Sequence, residues 1–268
     1  MTSYEERLPN HEKLFIPFIM SGDPSPELTI KIALMLEEAG ASVLELGVPY
    51  SDPLADGPVI QRASKRALAH EMTITKTMTL AGEMRRRGLK IPIILFTYFN
   101  PVLQLGEVSF FALAKQNGID GLLVPDLPFE ESEHLRKRCK ENTLTYISLV
   151  APTSKQRMKR ITENAQGFLY CISSLGVTGV RNDFSNELHD FLSEVKNMSN
   201  VPTAVGFGIS SSKQIEALKS YCDGFVVGSA IIKMTEDLEN QFNVNEEQTL
   251  IEFKQKIEEL ISPLLAER

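Results

Sequence analysis

A single closed barrel of eight parallel strands wrapped by helices, the (β/α)8 or TIM barrel of the α/β class with extra helices, is the fold this sequence predicts. Three observations carry that prediction. The chain has 268 residues, close to the roughly 250 typical of such a barrel. Short apolar, β-branched runs recur along it, continuous rather than alternating, as parallel strands covered on both faces require. Amphipathic stretches separate them, which is the signature of βαβ units. An open doubly wound sheet would want a glycine fingerprint after its first strand. That position reads Met20-Ser21-Gly22-Asp23-Pro24, which is not GxGxxG. Residues 1–268 are therefore read as one barrel domain.

The first strand is expected at 15–20 (FIPFIM). A helix follows over 27–39, where Leu28, Ile32, Met35 and Leu36 fall at helical spacing and Gly40 stops the run. After the second strand, 43–48 (VLELGV), the chain has room for helices at 58–68 and 75–87 and for a long loop. Long loops tend to carry function. Strands at 91–97, 121–125, 145–150, 168–172, 201–206 and 224–228 then alternate with helices at 107–117, 129–140, 155–164, 185–197, 211–219 and 229–239. A last helix over 247–265 is expected to end at Pro263.

Composition removes several function classes. With 28 Lys+Arg against 35 Asp+Glu, the formal charge is −7, which disfavours a nucleic-acid binder. The densest basic runs, Arg85-Arg86-Arg87 and Arg136-Lys137-Arg138, read as solvated helix faces. No apolar run approaches the roughly 18 residues of a membrane span, and the N-terminal residues show no apolar signal region. Cys139, Cys171 and Cys222 form neither a disulfide framework nor a CxxC pair, so a cytoplasmic setting is expected. His11, His70, His134 and His189 fall in no metal-ligand spacing and read as surface residues; no metal site is expected.

In this fold the active site lies at the C-terminal ends of the strands. Alternation in the second strand puts Val43, Glu45 and Gly47 on one face and the leucines on the other, so Glu45 points into the barrel. A buried carboxylate is costly and its pKa tends to rise, which suits acid–base work, although a buried acid with a structural partner is the plainer reading. Asp56 lies in the loop that follows, just before Gly57-Pro58. It is either a second catalytic acid or a helix cap. The glycine-rich turns Gly206-Phe207-Gly208-Ile209-Ser210 and Gly228-Ser229-Ala230 follow the seventh and eighth strands and lead into helices. That is where this fold often holds a phosphate against backbone N–H groups. Ser173 to Gly179 suit a mobile lid or a plain loop. Tyr170 is either a site residue or core, and Asp126 either a site residue or a loop anchor. No strand carries a Schiff-base lysine.

The stretch Leu44-Glu45-Leu46-Gly47-Val48-Pro49-Tyr50-Ser51-Asp52-Pro53-Leu54-Ala55-Asp56-Gly57-Pro58 closely resembles the signature of the tryptophan synthase alpha subunit family. The resemblance continues through Pro17-Phe18 with Gly22-Asp23-Pro24, Tyr98-Phe99-Asn100-Pro101, Val124-Pro125-Asp126-Leu127-Pro128, Gly176-Val177-Thr178-Gly179, Gly206-Phe207-Gly208-Ile209 and Gly228-Ser229-Ala230. It implies retro-aldol cleavage of indole-3-glycerol phosphate to indole and glyceraldehyde 3-phosphate. The alternatives are a phosphosugar isomerase on the same barrel and a stand-alone indole-producing lyase. It implies Glu45 as the proton shuttle, Asp56 as the partner of the indole N–H, and Tyr170 beside the substrate. It places Gly179, Gly206, Phe207, Gly208, Gly228 and Ser229 at the phosphate, and Phe18, Phe96, Leu123 and Leu149 around the indole. It further implies a beta subunit as partner in an α2β2 assembly. That subunit would bring pyridoxal phosphate, and this chain would hold no cofactor.

Overall fold

A computed structural model describes residues 4–9, 13–172, 186–206 and 208–266. In chain order the elements are α1 (Tyr4–Arg7), β1 (Leu14–Met20), α2 (Pro26–Glu38), β2 (Leu44–Gly47), α3 (Pro58–Ala69), α4 (Ile74–Arg86), β3 (Ile93–Phe96), α5 (Phe99–Leu105), α6 (Glu107–Gln116) and β4 (Gly121–Leu123). There follow α7 (Glu133–Glu141), β5 (Thr145–Tyr146), β6 (Ser148–Val150), α8 (Lys155–Glu163), β7 (Leu169–Ile172), α9 (Asn186–Met198), β8 (Thr203–Gly206), α10 (Ser212–Leu218), β9 (Gly224–Val227), α11 (Ser229–Val244), α12 (Glu246–Leu260) and α13 (Ser262–Leu265). Among the described residues no helix is long and apolar enough to cross a membrane.

All strand pairs are parallel, in the order β5-β4-β3-β2-β1-β9-β8-β7-β6. The two ends of that order are one run of chain. Only Ile147 separates β5 from β6, and its N–H donates to Leu122 O at 2.9 Å. The fifth expected strand, 145–150, thus closes the ring, with its first half on β4 and its second half on β7. Each of the eight expected runs lies in the barrel wall.

Apolar residues divide into two clusters. One fills the layer between strands and helices. The other fills the barrel and contains Leu14, Ile16, Val43, Ile94, Leu123, Ile147, Phe168, Tyr170, Ala204 and Val226. Tyr4 of α1 joins this inner cluster and is 3% exposed, so α1 stoppers the bottom of the barrel. The helices depart from expectation in four further places besides shifts of a few residues at their ends, the largest at α11, which runs on to Val244. The helix expected from 129 starts at Glu133, because Glu131 and Ser132 N–H turn back to Pro128 O. The last helix is two, divided at Ile261, with Pro263 in the first turn of α13 where its missing N–H costs nothing. Both α1 and α5 arise where no helix is expected.

Two surface readings need correction. Arg85 is not solvated. Its side chain is 13% exposed and donates to the carbonyls of Gly118, Leu89 and Ile91 and to the buried Asp120 carboxylate. Asp120 also accepts from Ile93 N–H at 2.9 Å and pairs with Arg7 of α1 at 2.9 Å. Arg86 and Arg87 are the exposed members, paired with Glu83 and Glu27. His189 is half-buried, stacked on Tyr221 with ring centroids 4.4 Å apart. His70 and His134 are exposed as expected, and His11 lies outside the described residues.

Candidate active site

Glu45 is the second residue of β2, held beside Phe18 of β1 and Ile94 of β3 by the parallel register. It is 1% exposed and faces the barrel interior, as the alternation predicts. Among the described residues its Oε1 has no hydrogen-bond partner. Burial alone pushes its carboxyl up to about 8. A group kept protonated near neutral pH, with no structural partner for that oxygen, is a poor device for stability and a good one for proton transfer.

Asp56 is reached by the β2–α3 loop. The loop is pinned at its base, where Ser64 Oγ accepts from Tyr50 N–H and donates to Tyr50 O, both at 2.9 Å. Tyr98, just after β3, supports its far end. Its hydroxyl donates to Asp56 Oδ2 at 3.1 Å and accepts from Ala55 N–H at 2.9 Å, while its ring stacks on Tyr50 at 5.2 Å. The helix-cap reading of Asp56 fails. Gly57 is the N-cap of α3, no side chain caps that helix, and the Asp56 carboxylate turns to Tyr98 instead. Burial raises Asp56 to about 6, against the lowering effect of the Tyr98 hydrogen bond. Sequence reasoning missed Tyr98 as a support. Its signal was an aromatic pair at the end of a strand, visible only once the loop is known to fold back over it. Asp126 proves to be a loop anchor, accepting from Phe99 N–H at the start of α5.

Tyr170 is 7% exposed in the middle of β7, and burial first, then the charges of Glu45 and Asp56, raises its phenol. The charges of Glu45 and Asp56 thus both reach Tyr170. Tyr170 depends on Gly206: a Cβ there would fall 2.3 Å from the Tyr170 hydroxyl. Phe18 likewise depends on Gly47, whose Cβ would lie 2.5 Å from the Phe18 ring. Phe18 meets Phe96 edge to face at 5.3 Å. Leu123 is wholly buried, whereas Phe96 and Leu149 are partly buried against the inner cluster. The four residues expected around an indole thus form an apolar wall at and just below the mouth.

One strand beyond β1 from the Glu45 strand, β9 leads into the 16-residue α11, with Gly228 as its N-cap and Ser229 as its first residue. Its glycine N-cap supplies no side-chain cap, which among the described residues leaves the leading N–H groups to an anion. Gly206 ends β8, and Gly208 has φ +80° with open space where a Cβ would stand. Phe207, Gly179 and the whole segment 173–185, with the expected lid, lie outside the described residues. No group of three or more potential metal ligands occurs among the described residues.

Comparison with known proteins agrees in both sequence and fold. The profile of the family described as "Tryptophan synthase alpha chain" matches residues 5–262. A tryptophan synthase alpha chain from a Geobacillus species is 60% identical over 253 residues, covering 94% of this chain and 96% of that one. The Bacillus subtilis chain of the same name is 61% identical over 230 residues, 86% of each. A crystal structure of the alpha chain from Legionella pneumophila superposes with a TM-score of 0.86 at 32% identity, covering 98% of this chain and 97% of that one. A Pyrococcus furiosus structure described as the tryptophan synthase α2β2 complex gives 0.83 at 35% identity, covering 94% and 98%. Sequence and fold agree over nearly the whole chain, and the chain belongs to the tryptophan synthase alpha chain family.

Proposed function

We propose that Glu45 and Asp56 divide the proton work of the alpha reaction of tryptophan synthase, in which indole-3-glycerol phosphate is cleaved to indole and glyceraldehyde 3-phosphate. The observation that carries this reading is the pair of unequal carboxyls, one near 8 and one near 6, whose charges both act on the buried Tyr170. Around pH 7 Glu45 holds its proton and Asp56 does not.

Protonated Glu45 donates to C3 of the indole ring. The Asp56 carboxylate accepts the ring N–H and stabilises the positive charge that forms there. Glu45, now a carboxylate, takes the proton of the hydroxyl on the adjoining side-chain carbon. The bond from that carbon to C3 breaks, its electron pair restores the indole, and the carbon becomes the aldehyde. Glu45 ends protonated again. The phosphate is held by the leading N–H groups of α11 and the Ser229 hydroxyl, with the Gly206–Gly208 turn beside it. Phe18, Phe96, Leu123 and Leu149 pack the ring.

Two carboxyls in opposite required states give a bell-shaped profile. kcat/KM rises as Asp56 ionises near 6 and falls as Glu45 ionises near 8. Glu45→Gln removes the shuttle at constant size and is expected to cost about 10² to 10⁴ in kcat while substrate still binds. Asp56→Asn is expected to lose the acidic limb. Steady-state release of free indole from the purified chain measures all three. It also separates this reading from a phosphosugar isomerase, which releases none. Near-normal turnover by Glu45→Gln would overturn the assignment.

The α2β2 complex named for the Pyrococcus furiosus relative supports the same assembly for this chain. A beta subunit would bring the pyridoxal phosphate. Leu54 in the acid loop, Leu103 of α5 and Val108 of α6 are large apolar side chains exposed at 83%, 56% and 82%. They suit a surface that a partner covers. Turnover by the purified chain alone distinguishes a stand-alone lyase from one that needs this partner.

A further inference from the structure

Two helices bring the two halves of the proposed site to the barrel mouth. α3 starts just after Asp56, and α11 starts at Ser229. The buried residues of α3 are the small Ala63, Ser64 and Ala67, with Val59 and Ile60 partly buried against the core. Beyond direct packing, a line of four charges outside the catalytic set ties α3 to α11. Arg62 donates to both oxygens of Glu236 at 2.8 Å. Arg66 reaches Glu236 Oε1 at 3.0 Å and grips both oxygens of Asp23 at 2.6 and 2.9 Å. The Asp23 side chain is fully buried in the β1–α2 loop, while that of Arg62 is 49% exposed. The line therefore runs from a buried anchor at the barrel mouth out to the surface, crossing both helices.

Its position is informative. Arg66 lies eight residues past the start of α3, and Glu236 seven past the start of α11. At a rise of about 1.5 Å per residue, each contact is about 10 to 12 Å from the helix end that faces the substrate. Two bidentate Arg–carboxylate forks resist sliding and rotation in a way that one point contact does not.

We propose that Arg62, Glu236, Arg66 and Asp23 form a strut that sets the spacing between the Asp56 loop and the phosphate-holding end of α11. These are positioning residues for the alpha reaction; none of them touches substrate. The inference rests on the proposed assignment of Asp56 to the ring and of α11 to the phosphate. A substrate that spans both ends feels the strut, and a ligand that occupies only the phosphate end does not.

The test is Glu236→Ala in the full chain, with two readouts. kcat/KM for indole-3-glycerol phosphate is expected to fall about tenfold, below the roughly hundredfold that a 1 Å misplacement can cost. The Kd of glycerol 3-phosphate, which reaches only the α11 end, is expected to stay within about twofold, because the local anion site is untouched. Glu236→Gln keeps the size and one acceptor and should fall between wild type and Ala. Unchanged kcat/KM would overturn the strut, and so would an equal loss in both readouts. Wild-type protein supplies the control. If glycerol 3-phosphate fails to compete with substrate there, the phosphate assignment falls, and this inference falls with it.

Discussion

Burial keeps the Glu45 proton in place up to about pH 8, and the same burial costs the fold. Unfolded, a glutamate titrates near 4.3. Between those values the folded chain binds one more proton than the unfolded chain. Stability is thus highest below the unfolded value and falls as pH rises towards 8. The loss is on the order of 3 to 5 kcal/mol once the folded carboxyl has ionised. Glu45→Gln does not titrate, so it should gain on wild type as pH rises from 5 to 9. Urea midpoints at three pH values measure this, and parallel curves would show that Glu45 is not desolvated as described. The residue was legible in the sequence, because a lone acid on the inward face of a strand has little else to do. The separation of its pKa from that of Asp56 was not legible. It depends on how completely each is buried and on the Tyr98 hydroxyl reaching back to one of them.

Strands and helices place these groups by small residues as much as by large ones. Gly206 is expected from its sequence position to serve a phosphate, and the structure gives it a second duty, since its bare Cα makes room for the Tyr170 ring. Gly206→Ala must push that ring aside, an overpacking error worth about 1 to 3 kcal/mol. Denaturation should register that loss, together with a drop in indole release larger than the stability change explains. A fully active, fully stable Gly206→Ala chain would contradict the close contact. Continuous apolar runs made the barrel strands legible. The interruption at Ile147 was not, because the run TYISLV has no turn residue and the break comes from serving β4 and β7 in turn. Nor was α5, where Pro101 falls in the first helical turn and Asp126 from another loop accepts from Phe99 N–H.

Across the whole molecule, chemistry and stability occupy opposite ends of the barrel. The mouth carries an unpaired acid, an uncapped helix and exposed apolar side chains. The base is closed by α1, with Tyr4 inside the barrel and Arg7 and Arg85 on Asp120. Burial lowers the Arg85 guanidinium to about 10, still charged at neutral pH. Arg85→Ala would leave three carbonyls and much of a buried carboxylate unsatisfied, a loss of about 3 to 5 kcal/mol. It should lower Tm strongly yet leave kcat/KM for indole release near wild type at temperatures where the chain stays folded. A variant with normal Tm, or one that is folded but inactive, would contradict this division.

The barrel, its inward acid, the order of its loops and the family could all be read from the amino-acid order. These are written in periodicity and local motif, which need no distant partner to be read. It took the folded chain to show that Arg85 is a buried tie rather than a solvated charge, that Asp56 is held by Tyr98 rather than capping a helix, and that Arg62, Arg66 and Glu236 line up with Asp23. Each of those outcomes depends on which side chain from a distant part of the chain arrives within hydrogen-bond reach, and on how much water it displaces. Spacing along one strand or helix carries no information about either.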